Sequence, residues 1–495
     1  MMTTSHCRAA SRAALAPLLA LSTLALVVDP DVASAQGLST PTVGIGTSTA
    51  VSADPTAVYF NPAMQAFQRG RTHLLLGGTL VVGDIRYQRD YRAVYQQPDS
   101  LDFETPIDPS MIDPSKHGYQ STVQTNPVAL APQGFGTFQL GHHSVVGGFG
   151  IYSPYAAILD FSPSGPQRFQ LQKATIMAVY FTPTIAWRPV DWFSIGAGVS
   201  YVLGYAELSR IQDFATLNDV GQALANPPIS QPNSFGTSAP PEVRELDVMA
   251  RPFVMRNGWS NSATFHVGMA FQPTEKMRLG LVYQHSAKMH FDGTFQLDMN
   301  DDFFTQDLAS QGLQYKPIVS GDATLGFTLP RILRFAASYD LTRKVGVALE
   351  VDYTFWSQVD AFVVTARSPD LAQPAVGIPD QTTIRLARNW HDTIGIDGVL
   401  RFSPGSGKTT LWGRFGFRQS AVPNSTIDVA SPDGNRFVGD LGGSIRLSDD
   451  VSLIGDLGIQ AITKRTVVSS NYDVANGIYQ LFLFTGGLNL RVDLD

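Results

Sequence analysis

The chain has 495 residues, a formal net charge of −7, 16% charged residues, 10% aromatics and 44 glycines. A soluble domain carries about 25% charge, so this composition argues against a surface built wholly for water, and its mild acidity argues against nucleic acid as a partner. Mean hydropathy is +0.00, the balance expected when lipid-facing apolar residues are matched by lumen-facing polar ones.

The first 35 residues read as an export signal. Arg8 and Arg12 form a positive n-region, and Ala13 to Val28 form an apolar stretch closed by Asp29, Pro30 and Asp31. That stretch is too short for a membrane-spanning helix. Ala33-Ser34-Ala35 fits a small-x-small cleavage site, which makes Gln36 the expected mature N-terminus. Cys7 leaves with the signal, so the mature chain offers no disulfide and no thiolate metal site.

From residue 71 onward, short stretches alternate apolar and polar residues. In Val345 to Phe355 one parity reads Val, Val, Leu, Val, Tyr, Phe and the other Gly, Ala, Glu, Asp, Thr. Successive strand side chains point to opposite faces, so one face is continuously apolar while the other carries two carboxylates. Candidate strands run over Arg71–Arg89, Pro127–Leu140, His143–Pro154, Gln172–Arg188, Trp192–Arg210, Ser262–Pro273 and Met277–Leu297. The series continues over Gly321–Leu341, Lys344–Thr365, Asp392–Phe402, Thr410–Ser420, Arg436–Leu447, Val451–Thr466 and Gly477–Leu494. The total, about 14, is even, as single-chain bacterial barrels prefer. Short connections such as Val190-Asp191 and Thr274-Glu275 alternate with long ones near 90–126, 211–261, 298–320, 366–391, 421–435 and 467–476. This asymmetry is that of periplasmic turns and extracellular loops. The expectation is an all-β, transmembrane antiparallel β-barrel in a Gram-negative outer membrane. A soluble sandwich would leave the strand lengths and the alternating loops unexplained.

The apparent site motifs fail on chemistry. Gly405-Ser406-Gly407-Lys408-Thr409 lacks the first glycine of a phosphate loop and precedes a strand, so it reads as a tight turn. His142-His143 and His285 with His290 lack companion ligands. The acidic run around Asp298, Asp301, Asp302 and Asp307 lacks the glycine and closing glutamate of a calcium loop. No catalytic constellation, metal site or cofactor is expected.

Ala53-Asp54-Pro55-Thr56-Ala57-Val58-Tyr59-Phe60-Asn61-Pro62-Ala63 resembles the Asn-Pro-Ala segment of the FadL-type long-chain fatty-acid and aromatic-hydrocarbon transporters. Gly148-Phe149-Gly150-Ile151-Tyr152-Ser153-Pro154-Tyr155 resembles that family's kinked third strand. Leu329-Pro330-Arg331 followed by Val351 to Ser357, and Phe417 to Pro423 followed by Pro432 to Phe437, resemble later family stretches in the same order.

The resemblance implies a 14-stranded barrel spanning 71–495, with residues 36–70 folded into the lumen as a hatch marked by Asn61, Pro62 and Ala63. It implies a lateral exit at the third strand, where Gly147, Gly148 and Gly150 permit a bulge and Pro154 removes a ladder donor. The ordinary reading of Pro154 is a strand end. Candidate ligand contacts are Phe60, Phe149 and Tyr152, with Arg331 and Arg385 as candidate carboxylate partners or members of a lumen charge network. The implied ligand is hydrophobic, a fatty acid or a hydrocarbon. The other implied partners are outer-membrane lipid and the barrel assembly machinery, for a chain acting as a monomer. A surface receptor or scaffold without transport is the alternative of a different class. The chain departs from the family pattern in ending Leu494-Asp495 rather than on an aromatic residue, which bears on its assembly signal.

Overall fold

The computed structural model describes residues 39, 43–90, 121–141, 144–213, 250–405, 408–471 and 473–494. The export signal, His142, His143, and the larger part of the 90–126 and 211–261 connections lie outside the described residues.

The described chain forms one antiparallel sheet closed on itself. Its strands are β1 Thr72–Arg89, β2 (Val123–Thr125 and Val128–Gln139), β3 Val145–Asp160, β4 Lys173–Val190, β5 Phe193–Asp213 and β6 Ala250–Thr274. Then come β7 (Met277–Gln284 and Ala287–Asp298), β8 (Ile318–Leu329 and Ile332–Asp340), β9 (Val345–Thr354 and Ala361–Arg367) and β10 (Gln381–Ala387 and Thr393–Phe402). The last are β11 Thr409–Arg418, β12 Arg436–Arg446, β13 Val451–Val467 and β14 Gly477–Leu494. Each pairs with its chain neighbours, and β1 closes on β14 from Thr72↔Leu494 to Arg89↔Gly477. Closure removes the unpaired edges that hydrocarbon cannot satisfy.

Each expected strand coincides with one of these 14. The differences lie at the upper ends, where a proline (Pro154) or polar residues interrupt the pattern. β3 runs through Pro154 to Asp160, and β5 and β6 reach Asp213 and Ala250. Gln381–Ala387 belongs to β10 rather than to a loop. Alternation with a greasy face was the signal for a strand, and it fades where the wall leaves the bilayer.

The exposures show that change of surroundings. In the lower barrel the outward parity is apolar, with Leu457 73% exposed and Leu441 72%, while inward Asp397 and Asn489 are almost wholly buried. In the upper pieces of β7 and β8 the sense reverses. Phe291, Phe295, Leu297, Leu325 and Phe327 are buried, whereas Lys288, His290, Asp292 and Asp322 are exposed. Strand breaks fall around His285, Pro330, Trp356 and Trp390. At His285, Pro330 and Trp390 the chain resets which parity faces in, whereas the even positions face in on both sides of Trp356.

Loop 419–435 turns inward at the long-loop end, burying Val422, Ile427 and Val429. Arg388 Nη1 donates to Asp428 Oδ2 at 2.6 Å in this loop. The Gln170 side chain accepts from Val429 N at 2.9 Å and donates to Val474 O at 2.5 Å, tying three loops together over the lumen.

Residues 43–69 lie inside the ring. They contain α1 (Ala57–Phe60) and a 3₁₀ turn (Pro62–Phe67). Asn61 accepts from Ala63 N at 3.1 Å, with Pro62 at the first position of the turn, where its missing donor is harmless. Three wall glycines make room for this segment. A Cβ on Gly196 would lie 2.5 Å from Ala63 N, one on Gly268 2.1 Å from Asn61 Oδ1, and one on Gly280 2.1 Å from Ala50 O.

Candidate functional site

Polar side chains from around the ring hold the internal segment. Gln133 of β2 both accepts from Gly44 N at 2.7 Å and donates to Gly44 O at 2.6 Å. Thr184 of β4 accepts from Gln65 Nε2 at 2.8 Å, and Ser194 of β5 donates to Ala63 O at 2.7 Å. Asn61 Nδ2 donates to Met269 O of β6 at 3.1 Å, and His266 Nε2 lies 2.9 Å from Val58 O. Glu350 of β9 accepts from Ala50 N at 2.6 Å, and Arg334 of β8 donates to the Tyr59 hydroxyl at 2.8 Å. A bond to a charged group contributes about 1.5–3 kcal/mol, so the last two anchors are the strongest of the set.

Beside this segment lies a cavity of about 130 Å³. Arg334, Glu350, Asp352, Arg414, Arg418 and Asp440 supply its polar wall, while Tyr59, Phe60, Tyr155 and Trp356 supply its aromatic one. Most of the charge is internally matched. Arg414 Nη2 lies 2.9 Å from Asp397, Arg418 pairs with the same carboxylate, and Arg418 Nε is 3.8 Å from Asp352. Arg334 differs. Its guanidinium lies over the rings of Tyr59 (4.8 Å) and Phe60 (5.7 Å), and its buried Nη1 has no hydrogen-bond partner among the described residues.

Tyr155 also lines a second, smaller crevice with Ala156, Ile176, Ala178, Met289, Phe291, Phe327 and Leu329. A charged cavity and an apolar crevice therefore meet at one tyrosine.

The wall next to both is thin. The β2–β3 ladder covers only Gln139↔Val146 to Gly134↔Ile151, whereas β3 pairs with β4 out to Asp160↔Lys173. Above Ile151 the β3 register shifts between Tyr152 and Tyr155. The two walls meet again where Thr125 Oγ1 donates to Asp160 O at 2.6 Å. In between, Ser39 forms an isolated antiparallel bridge with Tyr155. Tyr152 stacks on Phe135 at 5.5 Å and meets Tyr59 edge-on at 4.9 Å.

Of the residues singled out in the sequence, Asn61, Pro62 and Ala63 form the buried elbow of the internal segment. Gly148 and Gly150 face it: a Cβ on either would approach Val58, at 3.0 and 2.8 Å. Gly147 and Phe149 share the outward parity, with Phe149 43% exposed. Phe60 and Pro154 line the charged cavity, and Tyr152 lies buried beside it. Arg331 sits over the Phe355 ring at 5.0 Å, and exposed Arg385 pairs with Asp360 at 2.6 Å; neither lines the cavity. The cavity arginines lay on the hidden parity of their strands. Position along the strand, which periodicity does not encode, decides which of them meet.

His285 bonds to the Tyr283 hydroxyl through Nδ1 at 2.8 Å, and His290 lies 3.3 Å from Asp292. Among the described residues no group of three metal-ligating side chains gathers. Asp301 caps a short helix by accepting from Phe303 N at 2.9 Å.

The profile of the family described as "Outer membrane protein transport protein (OMPP1/FadL/TodX)" matches residues 29–489. The chain belongs to this family. Its members are transport proteins rather than enzymes, and its place is the outer membrane. The long-chain fatty acid transport protein of Escherichia coli (strain K12) is 23% identical over 290 residues, 57% of this chain and 59% of that protein. The chain thus matches under two thirds of this curated relative's length. A Pseudomonas aeruginosa FadL homologue has a similar fold, with a TM-score of 0.71 at 17% identity over 93% of this chain and 100% of that one. The Ralstonia pickettii toluene transporter TbuX gives a TM-score of 0.59 at 15% identity, over 92% and 97% of the two chains.

Proposed function

We propose that the protein is a passive outer-membrane channel for hydrophobic compounds whose substrates are long-chain fatty acids. The observation that carries this reading is the junction at Tyr155 of the apolar crevice with a cavity holding the partly unpartnered Arg334. An amphiphile needs such a pair of surroundings, one for the tail and one for the carboxylate. An aromatic hydrocarbon would use the crevice alone and call on no cation.

The proposed route runs from the long-loop end into the crevice, past the internal segment acting as a hatch, and out through the thin wall between β2 and β3. Six residue pairs hold that wall, and Ser39 covers β3 where the ladder has stopped. Such an exit delivers the ligand to the outer-membrane bilayer without crossing water. Since the chain's own β1 and β14 close the barrel, it works as a monomer once the barrel assembly machinery has inserted it. Uptake of oleate and of toluene by a host lacking its own carriers tests the reading. Oleate entry that depends on the protein supports it; toluene entry without oleate entry replaces it with the hydrocarbon channel, and entry of neither favours a receptor or scaffold.

A further inference from the structure

We infer that the short-turn end of the barrel carries a docking arc for anionic phospholipid, in which exposed basic residues of the β6–β7, β8–β9 and β10–β11 turns take the headgroup phosphates of the surrounding leaflet. The inference stands apart from the fatty-acid reading and concerns a different wall of the ring.

Charge is unevenly placed in this chain. Its formal net charge is −7, yet residues 275–278, 340–344 and 401–408 hold Lys276, Arg278, Arg343, Lys344, Arg401 and Lys408 against only Glu275 and Asp340. Asp340 is taken by Arg401 at 2.6 Å. Lys276, Arg343, Lys344 and Lys408 are exposed, and among the described residues none of them has an ion pair. Backbone bonds join the turns to one another. Asp340 N donates to Lys276 O at 2.9 Å, and Ser403 N donates to Lys344 O at 2.8 Å. The cations therefore follow one another along a continuous rim. The other charged short turns do not extend it: Asp191 offsets Arg188 after β4, and Asp449 and Asp450 outnumber Arg446 after β12.

Position selects the partner. The outward face next to these turns is apolar, with Tyr339 45%, Leu341 48% and Phe402 43% exposed. The cations thus stand where the lipid-facing band ends, at the depth of headgroups, a boundary that suits aromatic rings and long basic side chains. Guanidinium forks and lysine ammonium groups both bind phosphate. A zwitterionic headgroup brings its own ammonium and gains little from the arc, whereas phosphatidylglycerol brings an uncompensated anion. An acidic soluble protein would match the charge but would leave Tyr339, Leu341 and Phe402 uncovered. Each basic side chain near an anionic lipid surface strengthens the attraction about fivefold. β8 and β9, at the centre of the arc, stand across the ring from β2, so lipid held there leaves the thin β2–β3 wall clear.

The test uses the full-length protein in detergent micelles, with phosphatidylglycerol and phosphatidylethanolamine of the same acyl chains as probes. Bound lipid is counted by native mass spectrometry. The wild type is expected to retain phosphatidylglycerol in preference, and the preference should shrink as salt is raised during lipid loading. Lys276→Gln, Lys344→Gln and Lys408→Gln together remove a cation from every turn of the arc. They should lower the preference on the order of 100-fold, with heat-modifiable gel mobility reporting an intact barrel. Lys344→Gln alone should lower it about fivefold and serves if the triple variant does not fold. Arg446→Gln, in a turn where acids prevail, should keep the preference, which separates the arc from a general loss of positive charge. Equal retention of both lipids by the wild type, an unchanged preference in the folded lysine variants, or an equal loss in Arg446→Gln would overturn the arc. None of these outcomes touches the fatty-acid reading, which the oleate and toluene uptake assay decides.

Discussion

Substituting Gly196 by alanine separates a seated hatch from an incidental filling of the lumen. The added methyl would stand 2.5 Å from Ala63 N, 2.6 Å from Pro62 C and 3.0 Å from Ala63 Cα. These are backbone atoms, fixed by the Asn61 cap and the Ser194 bond, so the segment rather than a rotamer has to move. Overpacking of this kind costs about 1–3 kcal/mol, and loss of the Ser194 bond adds about 1 kcal/mol. Together they shift the balance between seated and displaced segment by about 2–4 kcal/mol, roughly 30- to 1,000-fold. Hydrogen exchange at Ala63 to Phe67 should accelerate by a comparable factor, and planar-bilayer conductance should rise above the wild-type level. Gly134→Ala is the control, since its methyl meets only the exposed Leu76 side chain at 3.2 Å. Wild-type exchange and conductance in a folded Gly196→Ala barrel would refute the account of how the segment is held.

Gly148→Val places its side chain against Gln65, Thr184 and Val58, 2.5–3.0 Å from the nearest atom of each. Oleate uptake should fall with surface abundance and heat-modifiable gel mobility unchanged, and unaltered uptake would show that the substrate does not leave beside β3. Asp397→Asn strips the shared partner from Arg414 and Arg418 and should destabilise the barrel by about 3–5 kcal/mol, read as a lower urea midpoint. Leu457→Arg, on the outward face, should cost about 2–4 kcal/mol in a refolding assay if the residue faces the bilayer centre. An epitope tag between Gln306 and Gln314 should bind antibody on intact cells, and binding only after outer-membrane permeabilisation would reverse the orientation.

Strand number and facing were legible because lipid imposes a strict period of two. Val345 to Thr354 reads its surroundings residue by residue, with Leu349 outward and Glu350 and Asp352 inward. The ends were less legible. Gln381–Ala387 alternates weakly, since outside the bilayer a polar outward face and a short apolar inward one look like a loop. The glycines of β3 lie in the strand whose ladder with β2 stops at Gly134↔Ile151, and the structure adds a register shift between Tyr152 and Tyr155 in its ladder with β4. Arg334 was hardest to find. In Ile332-Leu333-Arg334-Phe335 it is one inward arginine among several, and only the return of Tyr59 from a segment far away in sequence distinguishes it. Conversely, Arg331 stood out because it follows the Leu-Pro turn and Arg385 because it stands among apolar residues, yet neither lines the cavity.

The reversal of facing along β7 and β8 divides one continuous sheet between two solvents. Below the breaks, apolar side chains meet acyl chains, and removal from water supplies no further drive once the chain is in the bilayer. Above them, Phe291, Phe295, Leu325 and Phe327 turn inward beneath the tied loops, and this half is held as a water-soluble domain is, by the hydrophobic effect. The mouth therefore answers first to urea, salt and temperature, while the stem answers also to the thickness and composition of the membrane. A cell that remodels its outer leaflet would act on the stem and leave the mouth as it was. A change in the surrounding water would loosen the entrance while the wall behind it stayed closed.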